Sequence, residues 1–250
     1  MQTEALIAYL DDYLCVRDIP DYRDAFNGLQ VQGRSETHRI AVAVDACLAT
    51  IEQAVAAQAD LMIVHHGLFW GPRAPLTGAY YRRVATLIRN EIGLYSCHLP
   101  LDTHPEVGNN HVLARLLGLT VCGTFYRFES VDIGVRAETE LFRPALVDRV
   151  RAVLQVEPKV IPTGPEVVRR VGIVTGGGGS GIAQADAAGL DTLITGEGAH
   201  HTFFEAEERG LNVLYAGHYA TETVGVRALG EHLKQHFGLE YVFLDHPTGL

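Results

Sequence analysis

The sequence lacks the features that mark membrane-spanning, secreted and disulfide-bonded proteins. No apolar run reaches the roughly 18 residues that a membrane helix needs. The N-terminal segment lacks the basic start and clean apolar stretch of a secretory signal. The four cysteines are scattered and form no Cys-x-x-Cys pair: Cys15, Cys47, Cys97 and Cys122. We therefore expect no signal peptide, no disulfide framework and a cytoplasmic location.

Clustered positive charge is also absent. Lys and Arg number 20 against 30 Asp and Glu, so the formal net charge is −10 with histidine neutral. Because nucleic acids are bound through grouped basic side chains, this composition argues against a nucleic-acid partner. A small anionic substrate stays compatible with an acidic chain if a bound metal supplies the positive charge.

Apolar residues are plentiful, at 47% of 250 residues, which is enough for one large core or two smaller ones. Two segments each have the pattern of a strand, a helix and a second strand: 40–44, 48–58 and 61–64, then 171–175, 182–188 and 192–195. Continuous apolar strands around an amphipathic helix indicate parallel pairing. A separate helix is expected over 145–154.

The two segments align without a gap at an offset of 131 residues. A second pair, 95–102 and 215–222, aligns at an offset of 120 and repeats a histidine that precedes a carboxylate by four residues. Any two units of this kind look alike, but the repeated polar signature favours an internal duplication. The sequence thus predicts an α/β fold of two similar domains, residues 1–124 and 125–250, with a C-terminal segment able to pack back on the first.

His65 and His66 are the first candidate site residues. They follow the strand 61–64 and precede Gly67. The carboxyl end of a parallel strand is where open α/β sheets place ligand-binding groups. Because adjacent strand residues point to opposite faces, both can serve one site only if the backbone turns at Gly67. Otherwise one histidine is functional and the other structural.

Asp102, His218 and Glu222 are the other candidate ligands, and the two carboxylates have structural alternatives. Asp102 is expected in a loop after the strand 93–97, because Pro100 disfavours a regular helical turn there. It could instead cap the following helix. Glu222 stands at the entry to a helix, where a carboxylate stabilises the helix dipole by about 0.3–1 kcal/mol without any metal.

Taken together, the five side chains indicate a metal centre. Imidazole and carboxylate groups are the ligands of Zn, Mn, Fe and Ni rather than of Ca or Mg. Structural zinc sites use four ligands, often thiolates, whereas five ligands with bridging carboxylates suit two ions about 3.5–4 Å apart. We therefore predict two divalent metal ions as cofactors, held between the two domains by His65, His66, Asp102, His218 and Glu222.

A glycine run, 175–181, follows a predicted strand and precedes a predicted helix. It satisfies the dinucleotide spacing Gly-x-Gly-x-x-Gly, but polyglycine does so by default. A cradle for an anionic substrate and a purely structural turn are the other interpretations. Further on, Glu197 and His201 lie at the place that the His-His pair occupies in the first copy. They either line the pocket or begin a helix.

Six segments in order resemble the Ngg-interacting-factor-three-like family, whose members are often labelled GTP cyclohydrolase I type 2 homologues: 27–33, 63–67, 98–102, 108–110, 194–197 and 217–222. The resemblance covers nearly the whole chain. It implies two similar α/β domains, a dinuclear metal centre and a ring-shaped homohexamer. It carries ligand roles onto the five predicted residues, with Glu222 as the bridge. Many relatives have Asp where Glu197 stands, so the reach of that side chain differs here.

Two functions from different classes fit these observations. The first is a metal-dependent hydrolase that acts on a nucleotide or another small anionic substrate, with His98 or His201 transferring protons. The second is a non-catalytic metal-binding scaffold or interaction protein whose ions stabilise the fold. Replacing Glu222 by Gln separates them, since only an enzyme has turnover to lose.

Overall fold

The computed structural model of the protein describes residues 1–71 and 74–249. The chain divides into two compact units. Unit 1 consists of Met1–Leu101 and Val226–His246, and unit 2 of Asp102–Gly225 with the C-terminal residues from Pro247. The domain boundary proposed from the sequence, between 124 and 125, lies inside unit 2 and stays a prediction.

A mixed sheet forms the centre of unit 1. In spatial order its strands are β1 (Gly28–Val31), β4 (Gly93–Ser96), β3 (Leu61–His66), β2 (Arg39–Asp45) and β11 (Glu240–Phe243). Strand β1 pairs antiparallel with β4, and the other neighbours are parallel. The helices that begin in this unit are α1 (Thr3–Tyr13), α2 (Leu48–Ala56), α3 (Gly78–Arg89) and α4 (Leu99–Thr103).

The core of unit 1 follows from the apolar runs of its central strands. Residues 40–44 of β2 and 61–65 of β3 are buried without alternation, as expected for parallel strands covered on both faces. On one face, Ile51 of α2 and Leu87 of α3 belong to the same apolar cluster as Met62 of the sheet. This packing fixes the carboxyl end of β3, where the two predicted histidines lie.

Unit 2 is built on a second mixed sheet. In spatial order its strands are β5 (Thr120–Phe128), β6 (Val131–Phe142), β8 (Val167–Val174), β9 (Thr192–Thr195), β10 (Asn212–Tyr215) and β7 (Lys159–Pro162). Strands β8, β9 and β10 are parallel, and the flanking pairs are antiparallel. Its helices are α5 (Asn109–Leu116), α6 (Arg143–Leu154), α7 (Ile182–Ala187), α8 (Thr202–Arg209) and the start of α9 (His218–Phe237).

The two sheets share one strand order and one register. The order β1-β4-β3-β2 in unit 1 matches β7-β10-β9-β8 in unit 2, with the antiparallel strand at the same place. Ile40 pairs with Leu61, and Val171, at the offset of 131, pairs with Thr192. Both the α/β fold and the two strand–helix–strand units predicted from the sequence are confirmed, and the shared register is consistent with an internal duplication.

Two buried aspartates repeat the same hydrogen bonds in the two sheets. Asp60 Oδ2 accepts hydrogen bonds from the backbone N–H groups of His38 and Arg39, at 2.8 and 3.0 Å. In unit 2, Asp191 Oδ2 accepts them from the corresponding residues at 169 and 170, at 3.0 and 2.9 Å. The agreement therefore extends to individual polar contacts of the strand ends.

Three expectations about local structure need correction. Asp102 lies in the short helix α4 rather than in a loop, because Pro100 occupies the first turn of that helix, where proline is tolerated. The sequence analysis assigns no strand between residues 120 and 142, whereas β5 and β6 form a long antiparallel pair there. In the third parallel strand, Leu61 pairs with Gly93 but Thr192 with Asn212, one residue away from the offset of 120.

No helix in the described part of the chain is both long and apolar enough to cross a membrane.

Candidate metal centre

Three histidines form a cluster in unit 1, which we call the histidine cluster: His65 and His66, which end β3, and His98, which follows β4. One ring nitrogen of each lies within 4.8 Å of those of the other two. The ring centroids of His65 and His66 are 4.6 Å apart, although neighbouring strand residues ordinarily point to opposite faces. The structure thus brings the predicted pair together and adds His98, which was predicted to transfer protons.

Gly67 is required at this strand end for space rather than for an unusual backbone angle. A Cβ at Gly67 would lie 2.3 Å from Nε2 of Gln30. The Gln30 Oε1 accepts hydrogen bonds from the backbone N–H groups of Leu68 and Phe69, at 2.7 and 3.2 Å. The side chain of Gln30 therefore fixes the course of the backbone after the histidine pair, and Gly67 leaves room for it.

Hydrogen bonds at Nδ1 orient the His65 and His66 rings. His65 Nδ1 lies 3.0 Å from the carbonyl oxygen of Cys97, and a carbonyl only accepts, so Nδ1 carries the proton. His66 Nδ1 lies 2.8 Å from Oδ1 of Asp45 and donates in the same way. In the neutral rings the lone pair is then on Nε2, the atom that would bind a metal. Carbonyl and carboxylate partners of this kind are usual for metal-binding histidines.

His98 is held by a buried carboxylate. Its Nδ1 lies 2.7 Å from Oδ1 of Asp21. Burial by itself raises the pKa of Asp21, but hydrogen bonds from His98, Asn27 and the Leu99 N–H bring the net pKa below its usual value. Asp21 therefore stays ionised and keeps the His98 ring in one orientation. Asn27, whose Oδ1 accepts a hydrogen bond from the His98 N–H at 2.8 Å, completes the support.

Asp102 lies in unit 2 and is 6% exposed. Its Oδ1 accepts hydrogen bonds from Nδ2 of Asn109 at 2.8 Å and from Oγ1 of Thr175 at 3.3 Å. The N-cap of the following helix is Gly108, and the Asn109 contact is made through a side chain. The alternative of Asp102 as the cap of that helix is therefore not what the structure shows.

His218 and Glu222 stand one turn apart at the start of α9, and with Glu197 they form what we call the carboxylate cluster. His218 Nε2 lies 3.2 Å from Oε1 of Glu222, and His218 Nδ1 lies 2.8 Å from Oε1 of Glu197. Hydrogen bonding to Glu222, and then to Glu197, raises the pKa of His218 to about 9, although burial acts in the opposite direction. The imidazole is therefore protonated at neutral pH when no metal is bound.

Gly176 makes room for this cluster, which gives the glycine run a structural role. Its φ of +66° lies in the left-handed region, and a Cβ there would lie 2.1 Å from Oε1 of Glu222. Its N–H donates to Oγ1 of Thr221 at 3.0 Å, and its carbonyl accepts from the N–H of Glu197 at 3.0 Å. The neighbouring Thr175 contacts Asp102, so residues 175 and 176 are adjacent to both predicted carboxylate ligands of unit 2.

His201 is exposed and lies immediately before α8. It lines a cavity of about 380 Å³ together with Gly177, Ser180 and Glu197. Glu197 therefore lines this cavity and also forms a hydrogen bond with His218. The structure places His201 beside the carboxylate cluster through a shared cavity, and its predicted role in proton transfer stays a prediction.

Sequence reasoning missed the residues that orient two of the predicted site histidines: Asp45 beside His66, and Asp21 and Asn27 beside His98. Asp45 could have been found, because it ends β2 and pairs in register with His66 on the neighbouring parallel strand. Asp21 and Asn27 lie outside regular elements, and their contacts with His98 span more than 70 residues of sequence. No local sequence pattern indicates contacts between residues so far apart in the sequence.

The comparisons with known proteins agree over the whole chain. The family Duf34/NIF3 (NGG1p interacting factor 3) matches residues 1–249. A Deinococcus radiodurans protein named GTP cyclohydrolase 1 type 2 homolog is 43% identical over 99% of this chain and 94% of its own length. A Pyrococcus abyssi protein of the same name is 41% identical over the full length of both.

Solved structures also match the chain over nearly its whole length. The Thermus thermophilus protein TTHA1606 is 44% identical and superposes with a TM-score of 0.91 over the full length of both chains. Reduced HcgD from Methanocaldococcus jannaschii is 26% identical, with a TM-score of 0.86 over 98% of each chain. The resemblance inferred from the six sequence segments is thereby confirmed.

Proposed function

Because the chain belongs to the Duf34/NIF3 family, we propose that it is a metal-dependent hydrolase that acts on a nucleotide or another small anionic substrate. The ligands would be His65, His66, Asp102, His218 and Glu222, which together would bind two divalent ions. Relatives named GTP cyclohydrolase 1 type 2 homolog motivate the reaction class. The observation that carries the proposal is the orientation of His65 and His66 by Nδ1 partners, which leaves Nε2 as the donor atom of each.

The donor set fits Zn, Mn, Fe or Ni. Three imidazoles and two carboxylates are the ligands that these ions prefer, and no thiolate takes part. In the carboxylate cluster, Glu222 is 3% exposed and lies against His218. A buried carboxylate beside an imidazole is costly unless a cation balances it, and here the metal-free protein does so by protonating His218. A divalent ion would replace that proton.

The ions would supply Lewis-acid activation of water and of the reacting group of the substrate. The residues of the chain then have separate tasks. Asp45 and the Cys97 carbonyl keep His66 and His65 in the binding orientation. His98, oriented by Asp21 and part of the histidine cluster, is placed to accept or give a proton. His201 could do the same at the cavity that Glu197 lines.

Charge favours an anionic substrate at such a centre. The five ligands carry a formal charge of about −2 and two divalent ions +4, which leaves a positive site in a chain whose net charge is −10. A locally positive site attracts small anions, whereas the surrounding acidic surface repels polyanions that must contact a wide area.

The family resemblance also implies a hexamer, which light scattering of the purified protein would test.

The test begins with elemental analysis of the purified protein, followed by a panel of substrates that includes GTP ring opening and phosphoester hydrolysis. Turnover is then compared between the wild type, Glu222→Gln and Glu208→Gln. Glu208 is an exposed glutamate of α8, so its substitution changes the charge equally without touching either cluster. We expect Glu222→Gln to lose at least about a hundredfold in turnover and Glu208→Gln to keep it.

Two results would decide against the hydrolase. If neither wild type nor control turns over any member of the panel while metal is bound, the scaffold is the better description. If the wild type turns over a substrate after its metal has been removed, the proposed ligands do not form the catalytic centre.

A further inference from the structure

A cavity of about 700 Å³ lies in unit 1 next to the histidine cluster, within the range of small-molecule sites. We call it the Trp70 pocket. Its described walls are mostly aromatic and aliphatic, and the charged side chains among the described lining residues are Asp24 and Arg83. The lining residues used below are Asp24, Phe26, Trp70, Tyr80 and Arg83. Neither the metal ligands nor their supporting residues line it, so the hydrolytic centre does not account for it.

Trp70 connects the pocket to the histidine cluster. Its ring centroid is 4.5 Å from that of His98 and 6.0 Å from that of His66, in both cases edge to face. Trp70 is nevertheless 42% exposed, and Phe26, across the same pocket, is 55% exposed. Large aromatic side chains left this open beside a polar site are suited to stacking on a planar ligand.

Arg83 gives the pocket a cationic group. Its guanidinium lies over the Tyr80 ring, with Cζ 5.6 Å from the ring centroid. Its Nε is buried and has no hydrogen-bond partner among the described residues. The guanidinium carries further N–H donors at its end, which can bind a ligand acceptor. An anionic oxygen is the strongest such acceptor for a guanidinium.

Asp24 lies on the same pocket and is exposed. Its carboxylate can only accept hydrogen bonds, so it favours a ring that carries N–H groups at its edge. It also repels negative charge, which favours a ligand with one small anionic group over one with an extended polyanion.

We propose that the Trp70 pocket binds a planar nitrogen heterocycle that bears a small anionic group, the ring stacking on Trp70 and Phe26 and the anion pairing with Arg83. This inference rests on the proposed function, because it assigns the substrate class of the neighbouring metal centre. The ring would be bound one side chain away from His66 and His98. The substrate is thereby an aromatic heterocycle rather than a simple phosphoester.

The test uses the fluorescence of Trp70, which is the only tryptophan of the chain. The probes are guanosine monophosphate, which has ring and anion, guanosine, which has the ring alone, and ribose 5-phosphate, which has the anion alone. We expect saturable quenching by the two ring compounds, tighter for the monophosphate, and none by ribose 5-phosphate. Quenching is measured whether or not any member of the substrate panel turns over, so a failure of binding and a failure of hydrolysis are distinguishable.

Single substitutions show which residues bind the ring of the ligand and which bind its anionic group. Arg83→Gln should weaken guanosine monophosphate binding at least about tenfold and guanosine less than twofold, because only the charged hydrogen bond is lost. Arg83→Lys, which keeps the charge, should restore part of the loss. Phe26→Ala should weaken both ring compounds about two- to tenfold. Phe142→Ala, at a 62% exposed residue of unit 2, is the matched control.

Absence of quenching by guanosine monophosphate at millimolar concentration would overturn the proposal. Equal quenching by ribose 5-phosphate would do the same, since the ring would then contribute nothing. An equal loss for guanosine and its monophosphate in a folded Arg83→Gln protein would remove the assignment of the anion to Arg83.

Discussion

The carboxyl ends of β3 and β9 occupy equivalent positions in two sheets of the same strand order, but they carry different chemistry. β3 ends in His65 and His66, whose Nδ1 atoms donate to a carbonyl and a carboxylate. β9 is followed by Gly196 and Glu197, and the carboxylate of Glu197 accepts from His218. In unit 1 the strand supplies imidazoles, whereas in unit 2 it supplies the carboxylate that supports an imidazole from a helix.

The difference shows that the side chains at the strand ends can vary while the backbone frame, meaning the shared strand order and register of the two sheets, stays the same. The frame is maintained by matching features, such as the register of the strands and the paired hydrogen bonds of Asp60 and Asp191. The identity of the residues at the strand ends is not fixed by strand pairing, because a residue at a strand end needs only to be compatible with a turn. Two sheets of the same strand order can therefore carry chemically different groups at equivalent strand ends.

The largest expected effect tests how tightly the carboxylate cluster depends on its glycine. Gly176→Ala places a Cβ 2.1 Å from Glu222 Oε1 and puts alanine at a φ of +66°. We expect the free energy of unfolding to fall by about 2–4 kcal/mol and metal content to fall with it. Calorimetry and elemental analysis measure both. Gly177→Ala is the control, because its nearest neighbouring atom is 3.9 Å away; equal losses in the two variants would refute this account.

The next prediction separates the supports within the histidine cluster. Asp45→Asn should weaken metal binding about 10- to 100-fold, or about 1.4–2.7 kcal/mol, because Asp45 orients a proposed ligand. Asp21→Asn should leave metal affinity within about threefold and lower turnover instead, because Asp21 orients the proposed proton-transfer group His98. Metal titration and steady-state kinetics on both variants decide this. Equal effects of the two variants on metal affinity would show that His98 is a ligand.

A third experiment measures the equivalence of the two frames. Asp60→Ala and Asp191→Ala each remove a buried carboxylate that accepts two backbone N–H groups. Each should cost about 1–2 kcal/mol of unfolding free energy, since the donors lose their partner. Urea titration gives the two values. Asp60 also forms an ion pair with Arg34 at 3.3 Å, but the Arg34 side chain is 54% exposed, so this pair adds little to the unfolding free energy. A difference above about 1 kcal/mol would contradict the equivalence.

The smallest effect concerns protons. The pKa of His218 is raised to about 9, mainly by Glu222, so its stabilising proton is fully present below about 6.5 and is lost as pH rises through about 9. A metal ion on Nε2 would displace that proton. Metal uptake at pH 7 should therefore release about one proton from His218, and none at pH 10. Weakly buffered titration measures this release, and His218→Gln should abolish it. Unchanged release in that variant would exclude His218 as its source.

The sequence predicts the frame well because the frame is encoded locally. Apolar runs, their lengths and the offset of 131 predict the central parallel strands β2, β3, β8 and β9, and 192–195 matches its strand residue for residue. The pairing of β5 with β6 was missed, since alternation with exposed residues resembles an irregular segment. Asp102 was assigned to a loop because proline was weighed as a helix breaker rather than as a residue of the first turn.

The site was predictable only in part, for a related reason. His65, His66, His218 and Glu222 stand at element ends, where periodicity stops and a polar pair is conspicuous. The residues that orient the site histidines do not stand out in this way. Asp21, for example, is 77 residues away in sequence from His98, with which it forms a hydrogen bond. Trp70 and Arg83 carry no spacing signal either, and only the folded chain shows that they line one cavity.

Helix α9 has a consequence for the order in which the protein folds. Its interior contains Gly225 and Gly230, where a Cβ would lie 2.4 Å from Oδ1 of Asn109 and 2.6 Å from Cδ2 of Tyr241, respectively. Both glycines lower intrinsic helix propensity by roughly 1 kcal/mol each, so the isolated segment would be largely unstructured. The helix is then consolidated by packing against partners outside it, Asn109 and Tyr241. His218 and Glu222, one turn apart at its start, would thus come into register late, and the nascent chain would have only weak affinity for metal until that step.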